Sequence, residues 1–121
     1  MKILVVEDDR KVAGFIEQGL KEEGYVVDIA PDGDEATILA HVYHHDIILL
    51  DVMMPNMDGY ELCREIKSDA QLKDVPVILL TSLSSPEDII KGLQCGADNF
   101  IKKPYNEKHL ISRIDYILAN R

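Results

Sequence analysis

Short apolar runs alternate with amphipathic segments of helical length along the whole chain. The apolar runs are Ile3–Val6, Tyr25–Ile29, Ile47–Leu50, Val75–Leu80 and Phe100–Ile101. After each run, apolar residues recur at the spacing of one helical face. These helical stripes contain Val12, Phe15, Ile16 and Leu20; Ala36, Leu39, Ala40 and Tyr43; Leu62, Cys63 and Ile66; Ile89, Ile90 and Leu93; and Leu110, Ile114, Ile117 and Leu118. The pattern predicts five strands, each followed by a helix.

Strands that alternate with helices predict an α/β fold with a doubly wound parallel sheet and helices on both faces. The first, third and fourth runs are almost continuously apolar, which indicates central strands. The second run is more mixed and the fifth is short, which indicates edge strands, and together these features favour the strand order 2-1-3-4-5. In such sheets, sites form beyond the carboxyl ends of the strands, at the switch point between strands 1 and 3.

Residues that favour helix starts and turns stand before several of the stripes. Asp9 is the predicted N-cap of the first helix. Ser85 can cap the fourth helix and Pro86 can occupy its first turn. Asp32-Gly33 and Asp58-Gly59 mark turns before the second and third helices.

Length, charge and cysteine content limit what the chain can do. Its 121 residues suit one domain with one core, so we expect a single domain over residues 1–121. The formal net charge of -9 argues against direct nucleic-acid binding, which needs a Lys/Arg surface. No stretch approaches a membrane span and Ile3–Val6 is too short for a signal peptide, which predicts a cytoplasmic protein. We expect Cys63 and Cys95 to be free thiols, buried or partly buried.

Charged and hydroxyl side chains stand where the predicted strands end. The third run ends on the carboxylate of Asp51, and a lone buried carboxylate is costly unless something compensates it. The other polar strand ends are Glu7-Asp8-Asp9, Thr81-Ser82 and Lys102-Lys103-Pro104. Strands 1 and 3 are predicted neighbours, so their carboxylates converge. Two unit charges ~4 Å apart repel by about 4 kcal/mol at an effective dielectric constant near 20.

Such a cluster requires a cation or large pKa shifts. The ligands at the strand ends are all oxygens, which selects a hard divalent ion: Mg²⁺ first, with Mn²⁺ or Ca²⁺ as alternatives. The hydroxyl of Thr81 and the ammonium of Lys103 could flank a phosphate group. A metal, a cation and hydrogen-bond donors are the equipment of phosphoryl transfer, and Asp51 would then be the nucleophile that forms an aspartyl phosphate.

Five motifs together are specific: VVEDD, ILLDVMMPNMDGYEL, VILLTS, GLQCGADNF and IKKPY, in that order. They closely resemble the receiver domain of two-component response regulators, and the similarity covers essentially the whole chain. The resemblance implies the flavodoxin-like form of the predicted fold. It also implies a signalling switch that undergoes Mg²⁺-dependent self-phosphorylation and self-dephosphorylation, in place of an enzyme that turns over an external substrate.

The resemblance also implies roles for individual residues. Asp51 matches the phosphoacceptor, which also touches the metal ion. Asp8 matches the direct metal ligand, Glu7 a second acidic ligand acting through water, and the carbonyl of Met53 a backbone ligand. Lys103 matches the lysine that pairs first with the acceptor and then with the phosphoryl oxygens. The Lys103-Pro104 bond matches a peptide that is usually cis in the family.

The switch residues also follow from the resemblance. Thr81 matches the hydroxyl that follows the phosphoryl group, and a backbone N–H at Ser82 contacts that group. Phe100 matches the aromatic residue that turns inward when Thr81 moves. A plain strand-end threonine and a plain core aromatic are the structural alternatives. Glu7, Phe100 and Asn99 depart from the commoner Asp, Tyr and Asp of the family.

Several residues near the motifs are assigned no role in the site. Lys102 is expected to be solvated, and Asp9 is expected to cap a helix. The four histidines are expected to be surface residues: His41, His44, His45 and His109.

Partners are implied by the same resemblance. We expect a sensor histidine kinase or histidine phosphotransfer protein as donor, and an effector domain or kinase module absent from this chain. A homodimer through the fourth helix, fifth strand and fifth helix is a further expectation, with Lys91, Asp98 and Arg113 as candidates for ion pairs and Asn99 weakening the case.

Three alternative functions stay open on sequence grounds. An aspartyl-nucleophile phosphatase would carry a second Asp where this chain has Met53. A flavodoxin-like nucleotide or flavin binder would not place Glu7, Asp8 and Asp9 after strand 1 without a metal. A receiver could also act only as an interaction module.

Overall fold

A parallel sheet of five strands forms the centre of the molecule in the predicted order. The computed structural model describes residues 1–54, 57–82 and 85–120, apart from the side chain of Met57. The sheet contains β1 (Lys2–Val6), β2 (Val26–Ala30), β3 (Ile47–Asp51), β6 (Val77–Thr81) and β7 (Asn99–Lys102), and a separate antiparallel ribbon contains β4 (Met53–Met54) and β5 (Met57–Asp58). The sheet order β2-β1-β3-β6-β7 is the predicted order 2-1-3-4-5 when the short ribbon is left out of the numbering.

Helices connect the strands and begin at side-chain caps. They are α1 (Arg10–Glu22), α2 (Gly33–Val42), α3 (Gly59–Ser68), α4 (Pro86–Gln94) and α5 (Glu107–Ala119). Their N-caps accept hydrogen bonds from backbone N–H groups of the first turn and are Asp9, Asp32, Asp58, Ser85 and Asn106. The predicted caps at Asp9 and Ser85 are therefore confirmed. No helix in the described part of the chain combines the length and apolar character needed to span a membrane.

The core lies in two layers, one on each face of the sheet. Leu4, Leu50 and the other strand residues on the same face of the sheet pack against α2 and α3. Ile3, Leu49 and the strand residues on the opposite face pack against α1 and α5. Because both faces of the central strands are covered, these strands read as continuous apolar runs. Cys63 and Cys95 are buried free thiols, as expected.

Three predicted stripes are only partly buried, and on α2 the exposed member is Tyr43, at 48%. On α1, Val12 and Phe15 are exposed at 37% and 51%, although Ile16 and Leu20 are buried. On α4, the apolar residues Ile89, Ile90 and Leu93 are exposed at 47%, 52% and 68%. The buried residue of α4 is Gly92, and a Cβ built there would lie 2.6 Å from Cε1 of Phe100. The face of α4 that packs against the rest of the protein is therefore the one that carries Gly92.

The prediction of a surface position is wrong for His45. This side chain is only 2% exposed, and its Nε2 lies 2.8 Å from Oδ2 of Asp28. The Asp28 carboxylate supplies the polar partner that a buried imidazole needs. His44 and His109 are exposed, as expected, and His41 is partly exposed.

Candidate functional site

Asp51 is the last residue of β3 and is only 3% exposed. The parallel register sets Asp51 beside Leu80 of β6 and Val6 of β1 beside Leu50. Parallel strands end at one edge of the sheet, so the residues after β1, β3, β6 and β7 gather there. Gly59 keeps this region tight, because a Cβ at that position would lie 2.4 Å from the Cα of Val52.

The carboxylate of Asp51 is held from one side. Lys103 Nζ donates a hydrogen bond to Oδ1 at 2.7 Å, and the backbone N–H of Met53 donates to the same oxygen at 2.9 Å. Lys103 is itself positioned by its backbone N–H, which donates to the carbonyl of Thr81 at 2.8 Å. The Lys103-Pro104 peptide is cis, as the resemblance implied.

Two more carboxylates stand on the other side of Asp51. Glu7, Asp8 and Asp51 each offer an oxygen within 4.8 Å of the others. Glu7 is 3% exposed, whereas Asp8 is open to solvent. Oε1 of Glu7 accepts a hydrogen bond from the backbone N–H of Asp9 at 3.1 Å, but Oε2 is buried and meets no hydrogen-bond donor among the described residues.

The pKa values of these groups reflect first their burial and then their charged and hydrogen-bonding neighbours. Burial and the neighbouring Asp51 carboxylate raise the pKa of Glu7 to about 8. Burial also acts to raise the pKa of Asp51, but hydrogen bonds from Glu7, Lys103 and Met53 outweigh it, and the pKa of Asp51 is lowered. Burial and the charges of Glu7 and Asp51 raise the pKa of Tyr105 to about 12. The two pKa shifts therefore have opposite directions, upward for Glu7 and downward for Asp51.

The donor set fits Mg²⁺. It consists of carboxylate oxygens, and one of them, Oε2 of Glu7, is a buried acceptor without a donor in the described part of the chain. A hard divalent cation would satisfy such an acceptor and would favour the charged form of Glu7. Mg²⁺ commonly uses only one or two carboxylates, which leaves room in its shell for water and phosphate oxygens.

An open pocket of about 670 Å³ joins most of the predicted residues. It is lined by Glu7, Asp8, Asp9, Val12, Asp51, Met53, Lys103, Pro104 and Tyr105. The predicted metal and phosphoacceptor residues are thus brought together. Thr81, Ser82 and Phe100, although described, are not among the lining residues. The pocket is large enough for a phosphoryl group on Asp51.

The comparison with known protein families gives the class of this site. The response regulator receiver domain family matches residues 3–115. This chain belongs to that family. A probable transcriptional regulator ycf27 from Guillardia theta is 43% identical over 117 residues, which are 97% of this chain and 45% of that protein. The receiver thus spans about half the length of the curated relatives it matches.

Solved receivers share the fold closely. The signal receiver domain of a signal transduction histidine kinase from Syntrophus aciditrophicus is 42% identical, with a TM-score of 0.92 over 98% of this chain and 90% of that one. The chemotaxis protein CheY4 of Vibrio cholerae is 33% identical, with a TM-score of 0.89 over 95% of this chain and 96% of that one. The predicted flavodoxin-like fold of the receiver is therefore confirmed.

The hydroxyl of Thr81 points to a partner outside the pocket of this receiver. Thr81 is 1% exposed, and its Oγ1 lies 3.2 Å from the phenol oxygen of Tyr60. Ser82 follows it and is partly buried. Phe100 is partly buried against Gly92 and the layer that includes Tyr60.

Two tyrosines near the site were not predicted from the sequence. Tyr105 lines the pocket, and its place directly after Lys103-Pro104 was an available signal. Tyr60 lies 21 residues from Thr81, so nothing in the local pattern indicates their hydrogen bond. The candidate dimer residue Asp98 is engaged within the chain, where it accepts from Lys67 Nζ at 2.9 Å and from the backbone N–H of Val77 at 2.8 Å.

Proposed function

We propose that this receiver is a phosphorylation-dependent signalling switch that accepts a phosphoryl group from a phosphohistidine donor onto Asp51. The observation that carries the proposal is the arrangement around Asp51. Its carboxylate is buried at the floor of an open pocket, fixed on Oδ1 by Lys103, and bordered by Glu7 and Asp8. A carboxylate with a lowered pKa is ionised at neutral pH and therefore able to act as a nucleophile.

The transfer step uses the second oxygen of Asp51. The N–H groups of Lys103 and Met53 bind Oδ1, which leaves Oδ2 to attack the phosphorus atom. The new O–P bond forms as the P–N bond to the donor imidazole breaks, and the electron pair of that bond stays on the imidazole nitrogen. Lys103 then balances the charge of the phosphoryl oxygens. Positioning and charge neutralisation are the main contributions to such transfers.

Asp8, Asp51 and Glu7, with the backbone carbonyl of Met53, would hold Mg²⁺. When bound, the ion would neutralise charge on the phosphoryl oxygens, and water molecules would complete its coordination shell. The residues of the chain do the rest. Asp51 supplies the attacking oxygen, and the carboxyl group of Glu7 is buried beside it.

The output of the switch is a shift in conformational population. The hydroxyl of Thr81 and the backbone N–H of Ser82 would bind phosphoryl oxygens, and Phe100 would follow Thr81. The affected surface would be α4, β7 and α5, where Ile89, Ile90 and Leu93 expose apolar side chains. That surface is the proposed site of homodimerisation or effector contact.

The phosphoryl group is removed by water. A water molecule attacks phosphorus, the O–P bond to Asp51 breaks, the carboxylate is regenerated and inorganic phosphate leaves with the protons of the water. The phosphatase alternative needs a second acid to protonate a leaving group, and the residue at that position is Met53, which is 72% exposed and carries no proton to give. Slow self-hydrolysis, without turnover of phosphate esters, is therefore the proposed chemistry.

The partners and location follow from the family. A sensor histidine kinase or histidine phosphotransfer protein in the cytoplasm is the proposed donor. The matched ycf27 relative is named a probable transcriptional regulator and is about twice as long as the match. This supports output through an additional domain or protein, since the net charge of -9 disfavours nucleic-acid binding by these residues.

The test uses acetyl phosphate with Mg²⁺ and intact-mass spectrometry. Wild type should gain the mass of one phosphoryl group, the adduct should be released by hydroxylamine, and EDTA should prevent its formation. Asp51→Asn should gain none, while Asp58→Asn, which retains an N-capping side chain outside the pocket lining, should behave as wild type. A wild type that stays unmodified, or an Asp51→Asn variant that is still modified, contradicts the proposal. Turnover of excess phosphate ester would favour the phosphatase.

A further inference from the structure

Tyr60 occupies a fixed position beside the end of β6. It is the second residue of α3, and its backbone N–H donates to Oδ1 of the N-cap Asp58 at 2.9 Å. Gly59 brings this first turn against the chain that leaves β3, since a Cβ there would clash with Val52. Tyr60 is therefore held by a cap on one side and by a close backbone contact on the other.

The phenol of Tyr60 is buried, and its oxygen lies next to the Thr81 hydroxyl. The residue is 8% exposed, Thr81 is 1% exposed, and the two oxygens are 3.2 Å apart. Burial raises the pKa of Tyr60, so the phenol stays neutral in the physiological range. A buried hydroxyl that loses its partner is destabilised, because no water replaces the lost hydrogen bond.

The position of Thr81 has a consequence for the switch. Its backbone lies at the site, because its carbonyl accepts from the N–H of Lys103 at 2.8 Å. Its side chain, however, is not among the residues that line the pocket and instead contacts Tyr60. Reaching a phosphoryl group on Asp51 therefore requires the hydroxyl of Thr81 to leave Tyr60.

We propose that Tyr60 is a positioning residue that holds the Thr81 hydroxyl away from the pocket in the unphosphorylated protein. This inference rests on the proposed function, because it assigns Tyr60 to the regulation of the same site. Phosphoryl binding exchanges the Tyr60–Thr81 hydrogen bond for one to a phosphoryl oxygen. The lost hydrogen bond opposes activation, so the phenol favours the resting state of the switch.

Removing only the phenol oxygen tests the inference. Tyr60→Phe keeps the ring that packs in the core layer and removes the hydrogen bond between Tyr60 and Thr81. At saturating Mg²⁺, the affinity for beryllofluoride, an analogue of the phosphoryl group, should rise about fivefold, the factor for a net hydrogen bond of about 1 kcal/mol. Tyr116→Phe, an identical change on an exposed ring, should leave the affinity unchanged.

A double-mutant cycle shows whether Tyr60 acts through Thr81. In a Thr81→Val background, Tyr60→Phe should no longer change beryllofluoride affinity. An equal gain in both backgrounds, or no gain in the single variant, overturns the inference. Urea unfolding of Tyr60→Phe tests for a purely structural role of the phenol. In that case the variant would lose stability without binding beryllofluoride more tightly.

Wild-type protein provides a test that needs no variant. NMR couplings of Thr81 should report one fixed χ1 rotamer without beryllofluoride and a different one with it. An unchanged rotamer in a protein that binds beryllofluoride overturns the role of Tyr60 and leaves the acceptor role of Asp51 intact. A wild type that binds no beryllofluoride at all contradicts the proposed function itself.

Discussion

The two ends of the sheet both bury polar groups, but they balance charge differently. We use the name amino edge for the group Lys2, Asp28, His45 and Asp46. The carboxyl edge is the group Glu7, Asp8, Asp51, Thr81 and Lys103. Each edge contains a side chain that is almost fully buried and ionisable, namely His45 and Asp51, exposed at 2% and 3%. Burial alone therefore does not distinguish them.

At the amino edge, acids and bases are matched. Oδ2 of Asp28 lies 2.8 Å from Nε2 of His45 and 3.6 Å from Nζ of Lys2. Oδ2 of Asp46 accepts from the backbone N–H of Lys2 at 2.8 Å. Nζ of Lys2 also lies 4.2 Å from the centroid of the Tyr43 ring. These contacts pair each carboxylate of the group with a donor, although Nδ1 of His45, like Oε2 of Glu7, is buried without a hydrogen-bond partner among the described residues.

At the carboxyl edge, three carboxylates converge, and the ammonium of Lys103 is hydrogen-bonded to one of them, Asp51. Burial first and the neighbouring Asp51 second raise the pKa of Glu7, and one of its buried oxygens meets no donor in the described part of the chain. Such a cluster stores unfavourable energy that a cation relieves. The excess of carboxylates over ammonium groups, together with their burial, therefore distinguishes the carboxyl edge from the amino edge.

The largest predicted effect concerns metal binding at the carboxyl edge. Asp8→Ala removes an exposed ligand carboxylate and should weaken Mg²⁺ binding about 100-fold. This factor is the upper end of the range for mutations of residues that only hydrogen-bond to a metal ligand. Isothermal titration calorimetry measures the affinity. The stability of the apoprotein should not fall, because the removed charge was repelled by its neighbours.

The adjacent Asp9→Ala is the matched control. Asp9 caps α1, where its Oδ1 accepts from Lys11 N at 2.9 Å and Val12 N at 3.2 Å. Its loss should lower the free energy of unfolding by about 1 kcal/mol and leave the Mg²⁺ affinity nearly unchanged. If both variants lose metal equally, the edge acts only as a diffuse negative surface.

The second prediction compares stability at the two edges. Asp28→Ala leaves the buried imidazole of His45 without its acceptor and should lower the free energy of unfolding by about 2 kcal/mol. Asp51→Asn should leave it unchanged or raise it, because the amide oxygen still accepts from Lys103 and Met53 while a buried negative charge is removed. Urea denaturation without Mg²⁺ measures both.

Phosphorylation should show the opposite pattern. Asp28→Ala should accept a phosphoryl group from acetyl phosphate as wild type does, while Asp51→Asn should accept none. A folded Asp28→Ala protein that cannot be phosphorylated would mean that the amino edge is coupled to the site, and the distinction between the edges would be wrong.

The sequence predicted the carboxyl edge well because its residues sit directly at strand ends. Once the apolar runs indicated the order 2-1-3-4-5, Asp8 and Asp51 had to approach one another. Lys103 could be placed in the same way, as it follows β7. The geometry of the parallel sheet carries this information.

Side-chain direction was less predictable. His45 was predicted to be a surface residue. Its partner Asp28 lies on β2, 17 residues earlier, and the apolar pattern does not indicate the contact between them. The α4 stripe looked like a core face, because periodicity does not tell which face of a helix meets the protein. Tyr60 was missed for a related reason, since its hydrogen bond depends on the approach allowed by Gly59.

The smallest predicted effect is a pH dependence close to the amino edge. Nδ1 of His41 lies 2.8 Å from the carbonyl oxygen of Thr37, and Nε2 lies 2.8 Å from Oδ2 of Asp69. Both contacts favour the imidazolium, so the Thr37 carbonyl first and Asp69 second raise the pKa of His41 in the folded protein. The resulting stabilisation is fully present below the unfolded-state pKa, about 6.5, and is lost as the pH rises through the higher folded-state value. The difference in unfolding free energy between wild type and His41→Gln should therefore shrink across that window, whereas His109→Gln, an exposed control, should show no such trend. A difference that grows with pH would mean that His41 is neutral when folded, and the matched charges of the amino edge would not extend to this pair.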